Sequence, residues 1–123
     1  MHKKNPAIVL VVDDDPSILY LVKELLFAYE YQPILASSGE EALEIASKQT
    51  PIDLLLTDIK MPGINGIALA KQFSTLYPDI KVLFMSGFTL PSTLYSISGK
   101  KVVFLQKPFL PDTLITKMKF VLS

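Results

Sequence analysis

Short apolar runs alternate with longer segments of mixed polarity along this chain of 123 residues. Residues 7–12 form the first run, and Leu54, Leu55 and Leu56 form another, each followed by polar residues. Unbroken apolar runs of this length are typical of strands buried on both faces of a parallel sheet. The pattern predicts five strands: residues 7–12, residues 33–36, a third strand ending at or near Asp58, residues 81–85 and residues 102–105.

The segments between these strands repeat their hydrophobic residues at helical spacing. The first helix is predicted to start with Asp15 as N-cap and Pro16 at the first helical position, because both residue types favour those places. A second helix is predicted to open with a capping box, in which Ser38 caps the helix and Glu41 reaches back to Ser38. The predicted inward-facing residues are Ile18, Val22, Leu25, Leu26 and Tyr29 in the first helix, Leu69, Ala70, Phe73 and Leu76 in the third, and Leu114, Ile115, Met118, Val121 and Leu122 in the last.

Residues 88–99 fit this alternation less well than the rest of the chain. Pro91 and a run of Ser and Thr leave at most a short helix between Ser92 and Ser98. Strands alternating with helices over the whole chain predict an α/β fold with a doubly wound parallel sheet.

Composition narrows the class of protein further. The chain is of single-domain size, and its 12 basic and 12 acidic residues cancel, which gives no electrostatic case for binding nucleic acid or an anionic membrane. The absence of cysteine excludes a disulfide scaffold and a thiolate metal site. The longest apolar run is too short to insert into a membrane, and no apolar segment resembles a signal peptide, so a cytoplasmic location is expected.

Polar and charged residues gather where the predicted strands end. Asp13 and Asp14 follow the first strand, Asp58 ends the third, Ser86 follows the fourth and Lys107 follows the fifth. The carboxyl ends of parallel strands meet at one edge of the sheet, so these side chains are expected to lie together. Carboxylates this close repel each other, and a hard cation such as Mg²⁺ relieves the repulsion. With a lysine and a hydroxyl added, the set suits phosphoryl transfer, with Asp58 as the nucleophile.

Each of these residues also has a simpler explanation. Asp13 and Asp14 could belong to a helix cap, as Asp15 is expected to do. Asp58 could form a turn, and Lys107 could be a solvated loop lysine. Ser86 with the next glycine could be a turn, and Phe104 alone would be a core residue. Their joint placement at the strand ends of one sheet favours the functional interpretation.

The sequence resembles a receiver (response-regulator) domain of two-component signalling over nearly its whole length. The resemblance rests on residues 11–15, residues 53–63, Gly66, residues 85–87 and residues 104–109, in this order and spacing. It implies a flavodoxin-like five-stranded parallel sheet, (βα)5, with strand order 2-1-3-4-5. Residues 1–6 would be an N-terminal tail and residues 7–123 the receiver domain.

The family resemblance also implies a role for each site residue. Asp58 would accept a phosphoryl group from the phosphohistidine of a histidine kinase or a histidine phosphotransfer domain, and the switched surface would then engage a downstream protein target. The Mg²⁺ ion, with Mn²⁺ as an alternative, would be bound by Asp14, Asp58 and the main-chain carbonyl of Lys60, with Asp13 acting mostly through water. The phosphoryl group would be contacted by Ser86 and Lys107, Phe104 would occupy the switch position, and the peptide bond before Pro108 is a candidate for the cis form.

The chain departs from the family pattern at two places. Glu30 stands at the end of the first helix, where relatives often have glycine, so the turn is expected to close without a residue at positive φ. Residues 88–99, which correspond to a helix that commonly serves as the output surface, are expected to be short, displaced or mobile.

Lys60 and Phe88 are expected to tune the lifetime of the phosphorylated form, and they favour slow autodephosphorylation.

Alternatives remain at the level of function. One alternative is a docking module with the same fold that is never phosphorylated. Such a module would need none of the five residues at the strand ends, which are Asp13, Asp14, Asp58, Ser86 and Lys107. A hydrolase with an aspartyl-phosphate intermediate would need a second acid near the nucleophile, and Lys60 stands where that acid is expected. The chain could be a stand-alone receiver or a piece of a larger protein, and residues 84–89 and 104–109 are similar to receivers at the carboxyl ends of hybrid histidine kinases.

Overall fold

The structure, a computed structural model, describes residues 6–87, 96–97 and 100–123. Within these ranges strands and helices alternate as the sequence predicts, and each strand of the main sheet differs from its predicted bounds by at most one residue at either end. The elements are β1 (Ile8–Val12), α1 (Pro16–Ala28), β2 (Gln32–Ala36), α2 (Gly39–Ser47), β3 (Leu54–Asp58), α3 (Gly66–Leu76), β4 (Lys81–Ser86), β5 (Ser96–Ile97), β6 (Lys100–Lys101), β7 (Val103–Gln106) and α4 (Pro111–Leu122).

Five parallel strands form one sheet in the order β2-β1-β3-β4-β7. This confirms the predicted doubly wound sheet and its strand order 2-1-3-4-5. In the register Val12 lies beside Thr57, Asp58 beside Met85, and Ser86 beside Gln106. The carboxyl ends of β1, β3, β4 and β7 therefore lie next to each other at one edge of the sheet.

The core consists of two apolar layers, one on each face of the sheet. Leu10 and Val12 point into the layer formed with α2 and α3, whereas Val9 and Val11 point into the layer formed with α1 and α4. All four side chains are fully buried. Burial on both faces explains why β1 is an unbroken apolar run instead of an alternating one.

The predicted helix starts are confirmed, with one change. Asp15 caps α1 by accepting from the Ser17 amide, Pro16 is the first helical residue, and Ser38 caps α2 by accepting from the Glu41 amide. The Glu41 carboxylate accepts from the Ser37 amide and hydroxyl, not from the Ser38 amide as predicted. Ser38 has an extended backbone, and the donor that Glu41 reaches lies one residue earlier.

Two predicted core positions at helix ends are wrong. Tyr29 is 43% exposed and Leu76 is 56% exposed. Because α1 ends at Ala28, Tyr29 no longer follows the helical repeat. At the end of α3 the inner place is taken by Tyr77, whose ring stacks on Phe73 at 5.6 Å between centroids.

The turn after α1 also differs from the expectation. Glu30 itself adopts φ of 65°, so the turn does contain a residue at positive φ, although that residue is not glycine. The Tyr31 amide donates to the Leu26 carbonyl across this turn at 2.8 Å, and the same carbonyl accepts from the Tyr29 amide at 3.2 Å. The Lys107–Pro108 peptide bond is cis, as predicted.

The segment before the last strand of the main sheet contains a small antiparallel pair. Ser96 pairs with Lys101 and Ile97 pairs with Lys100. At Ser96–Ile97 the predicted short helix is therefore wrong, in keeping with the strand preference of a β-branched isoleucine and the poor helix propensity of serine. The remaining expectations for residues 88–99 concern residues 88–95 and 98–99, which lie outside the described ranges, as does Phe88.

Candidate functional site

Three carboxylates meet at the carboxyl edge of the sheet. Asp13 and Asp14 directly follow β1, and Asp58 is the last residue of β3, the neighbouring strand. One oxygen from each of the three lies within 4.8 Å of the others. The predicted acidic cluster is thus present, and it is formed by the parallel pairing of two consecutive strands of the sheet.

The Lys107 side chain also reaches this cluster, from the residue that directly follows β7. Its ammonium nitrogen lies 2.8 Å from Oδ2 of Asp13 and 3.3 Å from Oδ2 of Asp58. Its backbone amide donates to the Ser86 carbonyl at 2.7 Å, so the chain is anchored to β4 where the side chain turns toward the acids. One cation therefore bridges two carboxylates that would otherwise repel each other.

Burial makes the electrostatics of this group strong. The Asp13 side chain is fully buried, and those of Asp58 and Lys107 are 13% and 19% exposed. Burial raises the pKa of Asp13 above its usual value, although hydrogen bonds from Lys107 and the Asp15 amide act in the opposite direction. For Lys107 burial acts in the opposite direction and by itself would lower the pKa. The contacts with Asp13 and Asp58 outweigh burial and leave the pKa of Lys107 above its usual value.

The Asp58 carboxylate is held in place by its own backbone surroundings. Its Oδ1 accepts from the Ile59 amide at 2.8 Å, while Oδ2 faces Lys107. The first turn of α3 packs directly against this point, because the Gly66 amide donates to the Ile59 carbonyl at 2.8 Å. A Cβ at Gly66 would collide with the Asp58 main-chain carbonyl oxygen, so this approach requires glycine.

The donor set fits a hard divalent cation. All three side chains offer carboxylate oxygen, the ligand type that Mg²⁺ prefers. Asp13 is fully buried, whereas Asp14 is exposed and Asp58 is partly exposed. Asp14 and Asp58 are therefore better placed than Asp13 to supply direct ligands.

The remaining predicted site residues lie close by along the chain. Ser86 is the buried last residue of β4 and pairs with Gln106 at the end of β7. Lys60 occupies an exposed position two residues after Asp58. Phe104 is partly buried, and its ring stacks on Phe84 at 5.6 Å between centroids. Phe88 lies outside the described residues.

Two features of the site were missed by the sequence analysis. The first is the Lys117 ammonium, which donates to the Phe104 carbonyl at 2.6 Å from a position on α4. The second is Glu40, at the start of α2, whose carboxylate accepts from the Ile64 amide at 3.3 Å beside Gly63, which has φ of 77°. Both contacts join residues far apart in the chain, and no local motif signals them.

A cavity of about 410 Å³ opens beside the acidic cluster. It lies between α1 and the connection from β7 to α4, and Lys107 forms part of its wall. Its other lining residues are Ile18, Leu21, Gly87, Pro108 and Phe109. The site therefore adjoins a largely apolar recess at the surface.

Comparison with known proteins identifies one family. A family model described as the response regulator receiver domain matches residues 9–119. The two-component response regulator ARR14 of Arabidopsis thaliana is 35% identical over 108 residues, covering 86% of this chain and 28% of ARR14. This chain thus spans little more than a quarter of that relative.

Solved structures agree over almost the full length. The receiver domain of the hybrid histidine kinase CckA is 34% identical with a TM-score of 0.81, covering 95% of this chain and 100% of that one. The response regulator protein TrrA of Thermotoga maritima, solved in complex with Mg²⁺ and BeF, is 32% identical with a TM-score of 0.81, covering 94% of this chain and 98% of that one. No helix among the described residues is long and apolar enough to cross a membrane.

Proposed function

The chain belongs to the response regulator receiver domain family of two-component systems, and on this premise we propose that it takes a phosphoryl group from a partner phosphohistidine onto Asp58 with Mg²⁺ bound. The observation that carries the proposal is the contact of one partly buried lysine, Lys107, with two of the three clustered carboxylates. That arrangement supplies a nucleophile, cation ligands and a fixed positive charge within one small volume.

The transfer balances without a further reactant. An Asp58 carboxylate oxygen attacks phosphorus, an O–P bond forms, and the N–P bond of the phosphohistidine breaks. The electron pair of that bond returns to the imidazole, and the product at Asp58 is an acyl phosphate. The Ile59 amide already holds Oδ1 of Asp58, which orients the carboxylate before the donor arrives.

Charge stabilisation is the principal task of the surrounding residues. Asp14, Asp58 and the Lys60 main-chain carbonyl would hold Mg²⁺ or Mn²⁺ directly, with Asp13 acting mostly through water. When bound, the ion neutralises charge on the phosphoryl oxygens. The Lys107 ammonium, 3.3 Å from Asp58, would pair with a phosphoryl oxygen, and the Ser86 hydroxyl would donate to another.

The partner is a histidine kinase or a histidine phosphotransfer domain. A donor histidine must approach Asp58 along a surface next to the acidic cluster, and the cavity walled by Leu21, Lys107 and Phe109 adjoins it. An apolar recess of this kind can bury hydrophobic side chains of a docking partner. The domain would then act in the cytoplasm, where phosphohistidine donors are charged from ATP.

The output is a change in a protein-interaction surface. Phe104 stands two strands from Asp58, on the edge strand, and stacks on Phe84. Movement of the Ser86 hydroxyl toward the phosphoryl group would open space for the Phe104 ring, and a downstream protein would recognise the changed surface. Lys60 offers charge but no general base, and an aromatic side chain at position 88 would shield the acyl phosphate, so we propose slow autodephosphorylation.

The direct test is a phosphodonor assay on the folded chain. Incubation with acetyl phosphate and MgCl₂, followed by intact-mass measurement, is expected to add one phosphoryl group to the parent and none to Asp58→Asn. Asp112→Asn, which changes an exposed aspartate in the first turn of α4, is the matched control and should be modified like the parent. A parent that never gains the adduct would indicate a docking module, and an adduct that turns over many times per minute would indicate a hydrolase.

A further inference from the structure

The last strand of the main sheet has an outer edge that points away from β4. The Lys107 amide donates to Ser86 on β4, and alternate residues of a parallel strand direct their backbone groups to the same side. Leu105 therefore also faces β4, whereas the backbone groups of Phe104 face outward. Among the described strands, β7 pairs only with β4, so the Phe104 carbonyl lies on an edge of the sheet.

Lys117 supplies the donor for this outward carbonyl. Its ammonium nitrogen is 2.6 Å from the Phe104 oxygen, and the contact is partly buried. The neighbouring Met118 is fully buried in the layer that α1 and α4 form with the sheet. Helix α4 is therefore firmly packed, and the Lys117 side chain extends from it to the outer edge of β7.

The Phe104 ring lies on the opposite face from that helix. It packs against the layer of α2 and α3, where it stacks on Phe84 with an interplanar angle of 27°. The backbone of Phe104 is thus fixed on one side by the pairing of its neighbours with β4 and on the other side by Lys117. A side chain can change position more readily when the backbone that carries it is free to adjust.

We propose that Lys117 is a positioning residue for the Phe104 switch: it fixes the Phe104 backbone to α4 and thereby holds the ring on Phe84. This inference rests on the proposed function, in which Phe104 is the switch residue. It adds that a contact outside the acidic cluster sets the balance between two positions of the Phe104 ring. A contact that only covered the sheet edge would protect β7 without changing where the ring lies.

The test follows the Phe104 ring in a chain labelled with 4-fluorophenylalanine, with its resonance assigned by Phe104→Leu. Lys117→Met keeps the length and helix propensity of the side chain but removes the donor, and Lys117→Arg restores a donor. Lys119→Met changes an exposed lysine on the same helix and serves as the matched control. Each variant is measured with Mg²⁺ alone and with Mg²⁺ and acetyl phosphate, and the phosphoryl adduct is determined by mass in the same samples.

With Mg²⁺ alone, the fraction of Lys117→Met molecules whose Phe104 ring lies away from Phe84 should be about tenfold higher than in the parent. A change of this size is expected for the loss of one hydrogen bond from a charged donor. Lys117→Arg and Lys119→Met should match the parent, and all variants should gain the adduct. A Lys117→Met resonance identical to the parent in both conditions would overturn the inference. Failure of the parent to gain an adduct would instead count against the proposed function, while the measurement with Mg²⁺ alone would still test the tether.

Discussion

Gly66 packs so tightly against the main-chain carbonyl of Asp58 that no Cβ fits between them. This contact places the start of α3 beneath the proposed phosphoacceptor, and the Gly66 amide closes the arrangement by donating to Ile59. The geometry of the site therefore depends on the packing of the backbone as well as on its charged side chains.

Replacing this glycine should be costly. Gly66→Ala is expected to lower the free energy of unfolding by about 2 kcal/mol. The added Cβ would collide with the Asp58 carbonyl and the Ile59 Cα, which are backbone atoms and cannot rotate away. Urea unfolding followed by circular dichroism measures the effect. Gly87→Ala is the control, since a Cβ there meets no atom of the described residues within 4 Å. Equal stability of the two variants would show that the β3–α3 connection adjusts easily.

The turn after α1 offers a stabilising substitution. Glu30 has φ of 65°, a conformation that costs an L-residue with a Cβ but not glycine. Glu30→Gly is expected to raise the free energy of unfolding by about 0.5–1 kcal/mol, after the larger entropy of the unfolded glycine chain is subtracted. Glu24→Gly, within α1, should instead destabilise the domain, and the same outcome at position 30 would contradict the turn geometry.

Tyr77 connects the end of α3 to the loop before β3. Its hydroxyl donates to the Thr50 carbonyl at 2.6 Å, and burial raises its pKa above the usual value. Tyr77→Phe is expected to cost about 1 kcal/mol at pH 7 in urea unfolding. Tyr20→Phe, at an exposed position on α1, should cost nothing.

The same tyrosine predicts a dependence on pH. A folded-state pKa above the unfolded value of 10.0 means that the contribution of Tyr77 is fully present below pH 10.0 and is lost as the pH rises through the folded-state pKa. The stability difference between parent and Tyr77→Phe should therefore shrink above pH 10.0. A difference that stayed constant to high pH would show that the hydroxyl is not buried as described.

Metal binding should stabilise the folded chain. With MgCl₂ at about ten times its Kd, linkage gives about 1.4 kcal/mol of added stability, seen as a rise in Tm that EDTA reverses. The variant Asp14→Asn/Asp58→Asn should lose this rise, because it removes charge from two of the three clustered carboxylates. Asp112→Asn should retain it. An undiminished rise in the double variant would place the cation elsewhere.

The fold was predictable because several local signals agreed. The apolar run of β1, Asp15 before Pro16 and the Ser38 cap each mark a boundary through local chemistry, and the order of strands and helices then limits the topology. The errors at Tyr29, Glu30 and Leu76 lie at helix ends, where the closing contact decides which residue turns inward. Helical spacing alone contains no information about that contact.

The site was predictable to the extent that it follows from strand ends. Asp13, Asp14, Asp58 and Lys107 come together because parallel strands end at a common edge, which the sequence pattern already implies. Lys117 could not be anticipated, since its partner is a main-chain carbonyl 13 residues away and any lysine on that helix has the same local appearance. Tertiary packing selects Lys117 and leaves Lys119 exposed.

The proposed function requires one covalent event, the transfer of a phosphoryl group to the Asp58 side chain. A histidine phosphotransfer protein, charged with radiolabelled phosphate and mixed with the chain and MgCl₂, should pass its label to the chain. Reduction of the unlabelled acyl phosphate with tritiated borohydride releases the phosphate and leaves tritium on the reduced side chain, and peptide mapping should place that tritium at Asp58. Asp58→Asn should remain unlabelled while Asp112→Asn is labelled like the parent. Label on another residue, or equal labelling of Asp58→Asn, would contradict the account.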